Sequence, residues 1–503
     1  MISLFGGNKP DHPMAELKEA KRLLEELPVG ARECADELSH WLASVIAEEG
    51  FKPEYRVQLV QLLDETAQPH LRKLAREYTG SPRLAKAQEL RQWKAIFECW
   101  RQVAQAYVSC VNLYASGVKG GESLKSGMPL LLARALRALA AQVKWLAMRY
   151  GPSDASVWSA IGKVYALAEA RKFAQITVAP YPGIPDETTP EREFLKALMF
   201  SVSSPESLLP LEMELCERLI AHFCPAFVLS AEAQPGLTYS FDLSTSQAPA
   251  RTVRVSAALP SLRLFAAGKA LEDLEALRGA IRSSGKVPAD VNLAGSYPAE
   301  IVLEVLEHLT IYWSSEPPQR RHQRHRVKSR LNVVHGYDGV AAMLGGAPEQ
   351  ADVETEIWIV ENVSAGGFGA GVPEIKGDWL RIGVLLGMQP EGGDNWVLGV
   401  VRRLQREMPQ KGSVGIQTIA KSAQLVELSL GAGGSEWGIL IGADGQAPGE
   451  ARVLLRPGVF ETGQNMEYRR GDVTCLLMPQ DVVQSEEDFD LVKFRELVRD
   501  DSD

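Results

Sequence analysis

The stretch PPQRRHQRHRVKSRLNVVHGY, residues 317–337, separates two parts of the chain that follow different patterns. Pro317 and Pro318 disfavour helix at their own positions and at the residue before each of them, so they end any helix that precedes them. After Arg330 apolar and polar residues alternate, which is typical of a β-strand with one buried face. The sequence therefore predicts a multidomain α+β protein, with helices before this stretch and a β-barrel after it.

The part before this stretch begins with a long helical region, residues 1–228, in which apolar side chains recur every three or four positions. Thr189 stands directly before Pro190, a pair that is typical of a helix N-terminus. Ser153 or Asp154 is expected to cap another helix. One helix has the tryptophan, glycine and tyrosine spacing of a tetratricopeptide repeat, but no period of about 34 residues follows. A helical bundle is therefore expected, with a repeat array as the alternative.

Residues 229–316 mix the two patterns and predict a small α/β module that connects the two halves. Segments 236–245 and 251–258 have the alternation of strands, whereas segments 269–285 and 298–313 have the period of helices.

The C-terminal part consists of short alternating runs that are separated by Gly, Pro, Asn and Asp. These runs predict an antiparallel β-barrel with a basic N-terminal arm over residues 317–425, followed by a further β unit over 426–484. The last segment, 485–503, is expected to form a helix with an acidic, frayed end that packs back through Phe489 and Phe494.

The basic arm, residues 317–330, contrasts with the charge of the rest of the chain. It carries six Arg and Lys residues and no acid, whereas the whole chain of 503 residues has a net charge of −10 and the remainder therefore has −16. Such an acidic balance argues against a general nucleic-acid binder. The arm by itself is compatible with a solvated linker or with a site for a multiply charged anion.

Cysteine use and hydropathy indicate the compartment. Six scattered cysteines without a CxxC pair favour reduced thiols in a cytoplasm. The first thirteen residues do not have the pattern of a signal peptide. The most apolar stretch, residues 128–150, is interrupted by Arg134, Arg137 and Lys144, so it is expected to be an amphipathic helix rather than a membrane span.

The sequence ENVSAGGFGAG, residues 361–371, combines the end of a strand with a glycine-rich turn. Asn362, Ser364 and Gly367 stand in the pattern N-x-S-x-x-G. On its own this pattern also fits a tight turn that binds nothing, because turns use the same residue types.

The arm makes the pattern more specific. Arg320 and Arg324 form an R-x-x-x-R pair before the barrel, and together with the N-x-S-x-x-G turn they resemble the PilZ domain, the bacterial receptor module for the second messenger cyclic di-GMP. The resemblance covers residues 317–425, about a fifth of the chain. The run VGIQTIA, residues 414–420, is similar to the closing strand of that barrel.

The resemblance implies a ligand, cyclic di-GMP, and a set of residues that bind it. An arginine fork can bind both N7 and O6 of guanine, and it also pairs with phosphates. An asparagine amide can bond to a guanine edge, a serine hydroxyl can bind a phosphate or a base, and a glycine leaves room for close approach. The implied ligand-binding residues are Arg320, Arg321, Arg324, Asn362, Ser364, Gly366 and Gly367.

One residue departs from the family pattern, and the choice of the arginine pair that binds the ligand is open. Asn362 occupies a position that is often Asp in the family, which removes a charge-assisted bond to guanine. Arg326 and Arg330 form a second R-x-x-x-R pair. We expect the first pair to bind the ligand, because the second would place its last arginine at the start of the strand.

No catalytic motif competes with this interpretation, since HExxH, G-x-S-x-G and phosphate-binding loop patterns do not occur in the sequence. Neither a cofactor nor a metal ion is expected. The sequence predicts a non-enzymatic, cytoplasmic bacterial effector in which cyclic di-GMP rearranges the domains and a protein partner reads the helical half. The resemblance to the PilZ domain implies control of motility, pili, biofilm or polysaccharide synthesis. The alternative is an interaction scaffold with a degenerate barrel, whose arm docks an acidic protein or nucleic acid.

Overall fold

The computed structural model describes residues 10–499 except for 81–84, 184–185, 253–258, 317–324, 347–353, 431–433, 443–448 and the single positions 365, 378, 394, 409 and 462. The chain divides into a first unit, Met1–Gln319, and a second unit, Arg320–Asp503.

The first unit begins with a bundle of helices, which confirms the predicted helical half. Asp154 caps one helix by accepting a hydrogen bond from the Ser156 N–H at 2.7 Å. Thr189 Oγ1 caps the next by accepting from the Arg192 N–H at 3.1 Å. The helices are α1 (Leu17–Glu25), α2 (Ala31–Ala47), α3 (Pro53–Thr79), α4 (Lys86–Ala115), α5 (Met128–Ala147), α6 (Ala155–Ala170), α7 (Pro190–Val202) and α8 (Pro210–Phe223).

A buried polar network joins α3, α4 and α5 inside this bundle. Asp64 of α3 is fully buried, and it accepts hydrogen bonds from Gln68 Nε2 and from the Tyr107 hydroxyl of α4, both at 2.7 Å. Arg134 of α5 donates to the Tyr107 hydroxyl at 3.0 Å and to the Pro180 carbonyl at 2.7 Å. Each member therefore has partners, as buried polar groups require.

The charged residues of α5 do not form the solvated face that the amphipathic pattern suggests. Arg134 and Lys144 are buried, and Lys144 Nζ lies 2.9 Å from a carboxylate oxygen of Glu214 on α8. No described helix is long and apolar enough to cross a membrane. The six cysteines of the chain are all buried, and none forms a disulfide.

The segment predicted as a mixed connector lies within the first unit. It contains an antiparallel sheet in the order β1-β4-β2-β3 and two helices. Trp313, the last residue of the second helix, donates from Nε1 to Ser203 Oγ at 3.0 Å and so attaches this helix to the end of α7. The elements are β1 (Val228–Ser230), β2 (Tyr239–Asp242), β3 (Ala250–Arg251), β4 (Leu262–Ala266), α9 (Ala270–Ser284) and α10 (Ala299–Trp313).

The second unit starts with a closed antiparallel barrel in the order β10-β7-β6-β5-β8-β9, which confirms the predicted barrel. A short helix, α11 (Gly336–Ala341), follows its first strand. That strand already begins at His325, within the basic arm, because backbone pairing with β6 does not require apolar side chains. The strands are β5 (His325–His335), β6 (Glu356–Ser364), β7 (Gly367–Val372), β8 (Leu385–Pro390), β9 (Val397–Met408) and β10 (Lys411–Ala420).

A second closed barrel follows in the order β11-β12-β13-β16-β15-β14. The predicted C-terminal helix over 485–503 is wrong, because Asp490–Arg499 forms a strand between β13 and β15. These two neighbours supply backbone partners that outweigh the local helical pattern, and Phe489 and Phe494 are buried in the barrel instead. The strands are β11 (Ala423–Leu430), β12 (Gly434–Ile441), β13 (Glu450–Leu455), β14 (Met466–Arg470), β15 (Val473–Ser485) and β16 (Asp490–Arg499).

One hydrophobic cluster spans the two barrels. Tyr337 of α11 and Leu385 of β8 pack in the same buried cluster as Ile439 of β12 and Phe489 of the β15–β16 turn. The Tyr337 hydroxyl also donates to the Trp437 carbonyl of β12 at 2.6 Å. The second unit is therefore a pair of fused barrels.

Candidate functional site

Asn362 lies on β6, the strand between β5 and β7 in the first barrel. It pairs with Arg326 on β5 and with Gly369 on β7. A Cβ atom at Gly369 would lie only 2.5 Å from Nδ2 of Asn362, so the glycine leaves the space that the carboxamide occupies. The amide of Asn362 thus lies over Gly369 of β7, and Arg326 is its backbone partner on the other neighbouring strand.

Two β-bulges interrupt the register next to Asn362. β5 has one more residue than β6 between the pairs Arg326–Asn362 and Ser329–Val360. β6 in turn has one more residue than β7, and Glu361 has no paired residue there. A bulge bends its strand and changes the direction of neighbouring side chains. Glu361 and Asn362 therefore line the same groove, although adjacent residues of a regular strand point to opposite faces.

This open groove between β5 and β6, the β5–β6 groove, has a volume of about 720 Å³. The side chains of its two cations, Arg326 and Lys328, are exposed and make no hydrogen bond or close ion pair with the described part of the chain. Free guanidinium and ammonium groups can bind phosphates, while an amide and a carboxylate can bind the polar edge of a base. The lining residues are Arg326, Val327, Lys328, Ile359, Val360, Glu361 and Asn362.

Ser364, Gly366 and Gly367 form the turn between β6 and β7 and do not line the groove. Ser364 Oγ donates to the Gly367 carbonyl at 3.2 Å, and the Gly366 carbonyl accepts from the Thr418 N–H of β10 at 3.1 Å. A Cβ atom at Gly367 would overlap the carbonyl oxygen of Ile416 on β10. Within the structure, these residues close the turn and allow β10 to approach it.

The arm is described only from His325 onward, so Arg320, Arg321 and Arg324 lie outside the described residues. Of the second arginine pair, Arg326 lines the groove and Arg330 does not. The Arg330 backbone instead bonds to Glu391, whose N–H donates to the Arg330 carbonyl at 3.0 Å.

Sequence reasoning missed Lys328 and Glu361 as groove residues. Lys328 lies in the basic arm, and Glu361 directly precedes Asn362. Regular strand alternation, however, would place Glu361 on the opposite face from Asn362. The bulges bring both acid and amide to one face, and no residue pattern in this segment marks a bulge in advance.

Lys411 and His335 of the first barrel have shifted pKa values. The ion pair of Lys411 with Glu407, at 2.9 Å, raises the pKa of Lys411, and Glu361 adds to this effect. His335 stacks on Trp379 at 3.8 Å, and burial lowers its pKa, so it is neutral at pH 7. Over the described residues, no group of three or more His, Cys, Asp or Glu could hold a metal ion.

The similarity of this chain to a known family lies in the first unit. Residues 18–234, which are 217 of the 503, match the family model described as the N-terminal domain of the cyclic-di-GMP receptor FimW. The matched region spans α1 to β1 and does not include either barrel. No curated protein matches the chain. The helical part of the chain is thus similar to the N-terminal domain of a cyclic-di-GMP receptor.

Proposed function

We propose that this chain is a non-enzymatic cyclic di-GMP effector whose first barrel is a PilZ-like domain that binds the nucleotide. The observation that carries the proposal is the pairing of Asn362 with Arg326 in an open groove that also holds Lys328. Similarity of residues 18–234 to a domain of a cyclic-di-GMP receptor supports the same ligand from a separate part of the chain.

The chemistry of the groove suits a cyclic dinucleotide. Its volume of about 720 Å³ falls within the range of small-molecule sites, roughly 300–1,000 Å³. Arg326 and Lys328 can neutralise phosphates, and the Asn362 amide can bond to the edge of a guanine. We assign additional ligand contacts to the arm and the turn, namely to Arg320, Arg321, Arg324, Ser364, Gly366 and Gly367.

The output of binding is a rearrangement of the two units, which a protein partner reads on the helical half. The effector acts in a bacterial cytoplasm, for which the six free cysteines are suited. The expected processes are motility, pilus function, biofilm formation or polysaccharide synthesis.

Calorimetric titration of the full chain with cyclic di-GMP, beside GTP and cyclic AMP, tests the ligand. We expect a Kd in the micromolar range or below for cyclic di-GMP, which is about −8 kcal/mol or more favourable. The two other nucleotides should bind much more weakly. Absence of heat with cyclic di-GMP would contradict the proposal and favour the scaffold with a degenerate barrel.

Arginine variants locate the site. Arg326→Ala should weaken cyclic di-GMP binding by at least about tenfold, because it removes a guanidinium from the groove. Arg320→Ala and Arg324→Ala should each weaken binding by at least about tenfold as well, because we assign the first arginine pair to the ligand. Arg330→Ala is the matched control, because Arg330 lies on the same strand outside the groove. Loss of affinity in Arg330→Ala, with Arg326→Ala unchanged, would overturn the groove assignment.

A further inference from the structure

A second cavity lies in the first unit, far along the chain from the groove of the barrel. It has a volume of about 300 Å³ and is bordered by α5, α7, the end of α8 and the loop before α7. Three cations and three acids line it: Arg137, Arg192, Lys196, Asp186, Glu187 and Glu193. We call it the α5–α7 cavity.

Arg137 is the first indication that this cavity binds something. Its guanidinium lies 5.5 Å from the centre of the Tyr181 ring, but it makes no hydrogen bond or close ion pair with the described residues. Burial by itself would lower the pKa of Arg137, yet Glu193 and Tyr181 raise it, so the group stays charged. A charged guanidinium with five N–H donors and only a partly exposed surface is suited to an incoming acceptor.

Glu193 gives an independent indication. It is 1% exposed, and its Oε1 accepts from Thr188 Oγ1 at 2.8 Å and from Lys196 Nζ at 2.7 Å. Its other oxygen, Oε2, is buried without a hydrogen-bond donor among the described residues. Burial would raise the pKa of Glu193, but Lys196 and Arg137 outweigh it and lower the pKa, so the carboxylate is ionised. A buried carboxylate oxygen without a donor is costly, and a donor that enters the cavity would remove that cost.

The charges of the lining decide the class of ligand. The three cations and three acids balance, so the cavity does not favour a molecule with several negative charges. Its volume of about 300 Å³ is at the lower end of the range for ligand sites. This volume favours a ligand smaller than a dinucleotide. We propose that the α5–α7 cavity binds a free amino acid, whose carboxylate pairs with Arg137 and whose ammonium group donates to Glu193 Oε2.

The proposal is tested with the full chain by calorimetric titration with each of the common L-amino acids, beside GMP and inorganic phosphate. At least one amino acid should bind with a Kd in the millimolar range or below. Its methyl ester and its N-acetyl derivative, which each lack one of the two charges, should bind at least about tenfold more weakly. GMP and phosphate should bind more weakly than the amino acid.

Two cavity variants and one control assign the site. Glu193→Gln keeps the size of the side chain and should weaken binding by about tenfold or more, as should Arg137→Gln. Arg282→Gln, on the exposed face of α9, is the control and should not change the affinity for the amino acid. If Arg137→Gln does not fold, Glu193→Gln and the titrations with the methyl ester and the N-acetyl derivative still test the site. The proposal is overturned if no amino acid binds at millimolar concentration, if only GMP or phosphate binds, or if neither folded cavity variant weakens binding.

Discussion

At the scale of single residues, Glu361 is the acid in a groove that otherwise gathers positive charge. It is exposed, and the absence of a side chain at Gly371 leaves room for its Oε1, which would lie 3.0 Å from a Cβ there. A carboxylate repels phosphates, but it also accepts hydrogen bonds well. The edge of guanine includes an N2 amino donor that adenine lacks. We therefore expect Glu361 to select guanine over adenine.

Replacement Glu361→Gln should reduce the preference for cyclic di-GMP over cyclic di-AMP by about tenfold, which corresponds to ~1.4 kcal/mol. Calorimetric titration with both nucleotides measures the ratio of their two Kd values. Loss of the repulsion between the carboxylate and the phosphates changes both Kd values equally and therefore leaves this ratio unchanged. Glu407→Gln is the control, because Glu407 is an exposed acid of the same barrel that does not line the groove. If Glu361→Gln strengthens binding of both nucleotides equally, the carboxylate only repels phosphate and our assignment is wrong.

At the scale of elements, the polar network of α3, α4 and α5 should contribute strongly to the stability of the helical bundle. Arg134→Met leaves the buried carboxylate of Asp64 without its nearest cation, which lies at 3.8 Å, and should cost about 3–5 kcal/mol. Tyr107→Phe removes one hydroxyl from the same network and should cost about 1–3 kcal/mol. Urea unfolding followed by circular dichroism measures both free energies.

The control for this network is Arg22→Met, because the ion pairs that Arg22 makes with described residues are exposed and lie within α1 and near its end. Such exposed pairs contribute little to stability, because water and salt screen them. Equal costs for Arg134→Met and Arg22→Met would mean that the buried network does not stabilise the bundle beyond an ordinary surface contact.

The elements also show why sequence reasoning succeeded in one unit and failed in parts of the other. Helices such as α7 could be predicted because their period and caps, for example Thr189, are local signals. The glycine-rich composition of β7 predicts a turn, because glycine is depleted in strands. In the structure its glycines instead allow the close approach of Asn362 and Ile416. Strand β16 pairs with β13, which is distant in sequence, as well as with the adjacent β15, and the bulges that bring Glu361 into the groove also depend on pairing between separate strands.

At the scale of the whole molecule, the two units are joined by a short connection. Eleven residues, 314–324, lie between the end of α10 at Trp313 and the start of β5 at His325. At its first end, α10 is attached to the end of α7, because Trp313 donates to Ser203 Oγ and His308 Nε2 lies 2.6 Å from the Ser203 carbonyl. Tension on this connection would therefore reach the helical bundle at Ser203.

Hydrogen exchange of the full chain, with and without cyclic di-GMP, tests whether binding is transmitted along this route. We expect slower exchange at 325–330 and 359–368, where we propose that the ligand binds, and a further change in α10 and at 199–207. Trp313→Phe removes the hydrogen bond to Ser203 and should diminish the change at 199–207 without altering the protection of the barrel. Protection that is confined to the barrel in the parent would leave ligand binding intact, but it would show that the nucleotide does not rearrange the two units. The output would then have to be read on the barrel itself, where the occupied groove changes the surface by replacing two exposed cations with a bound anion.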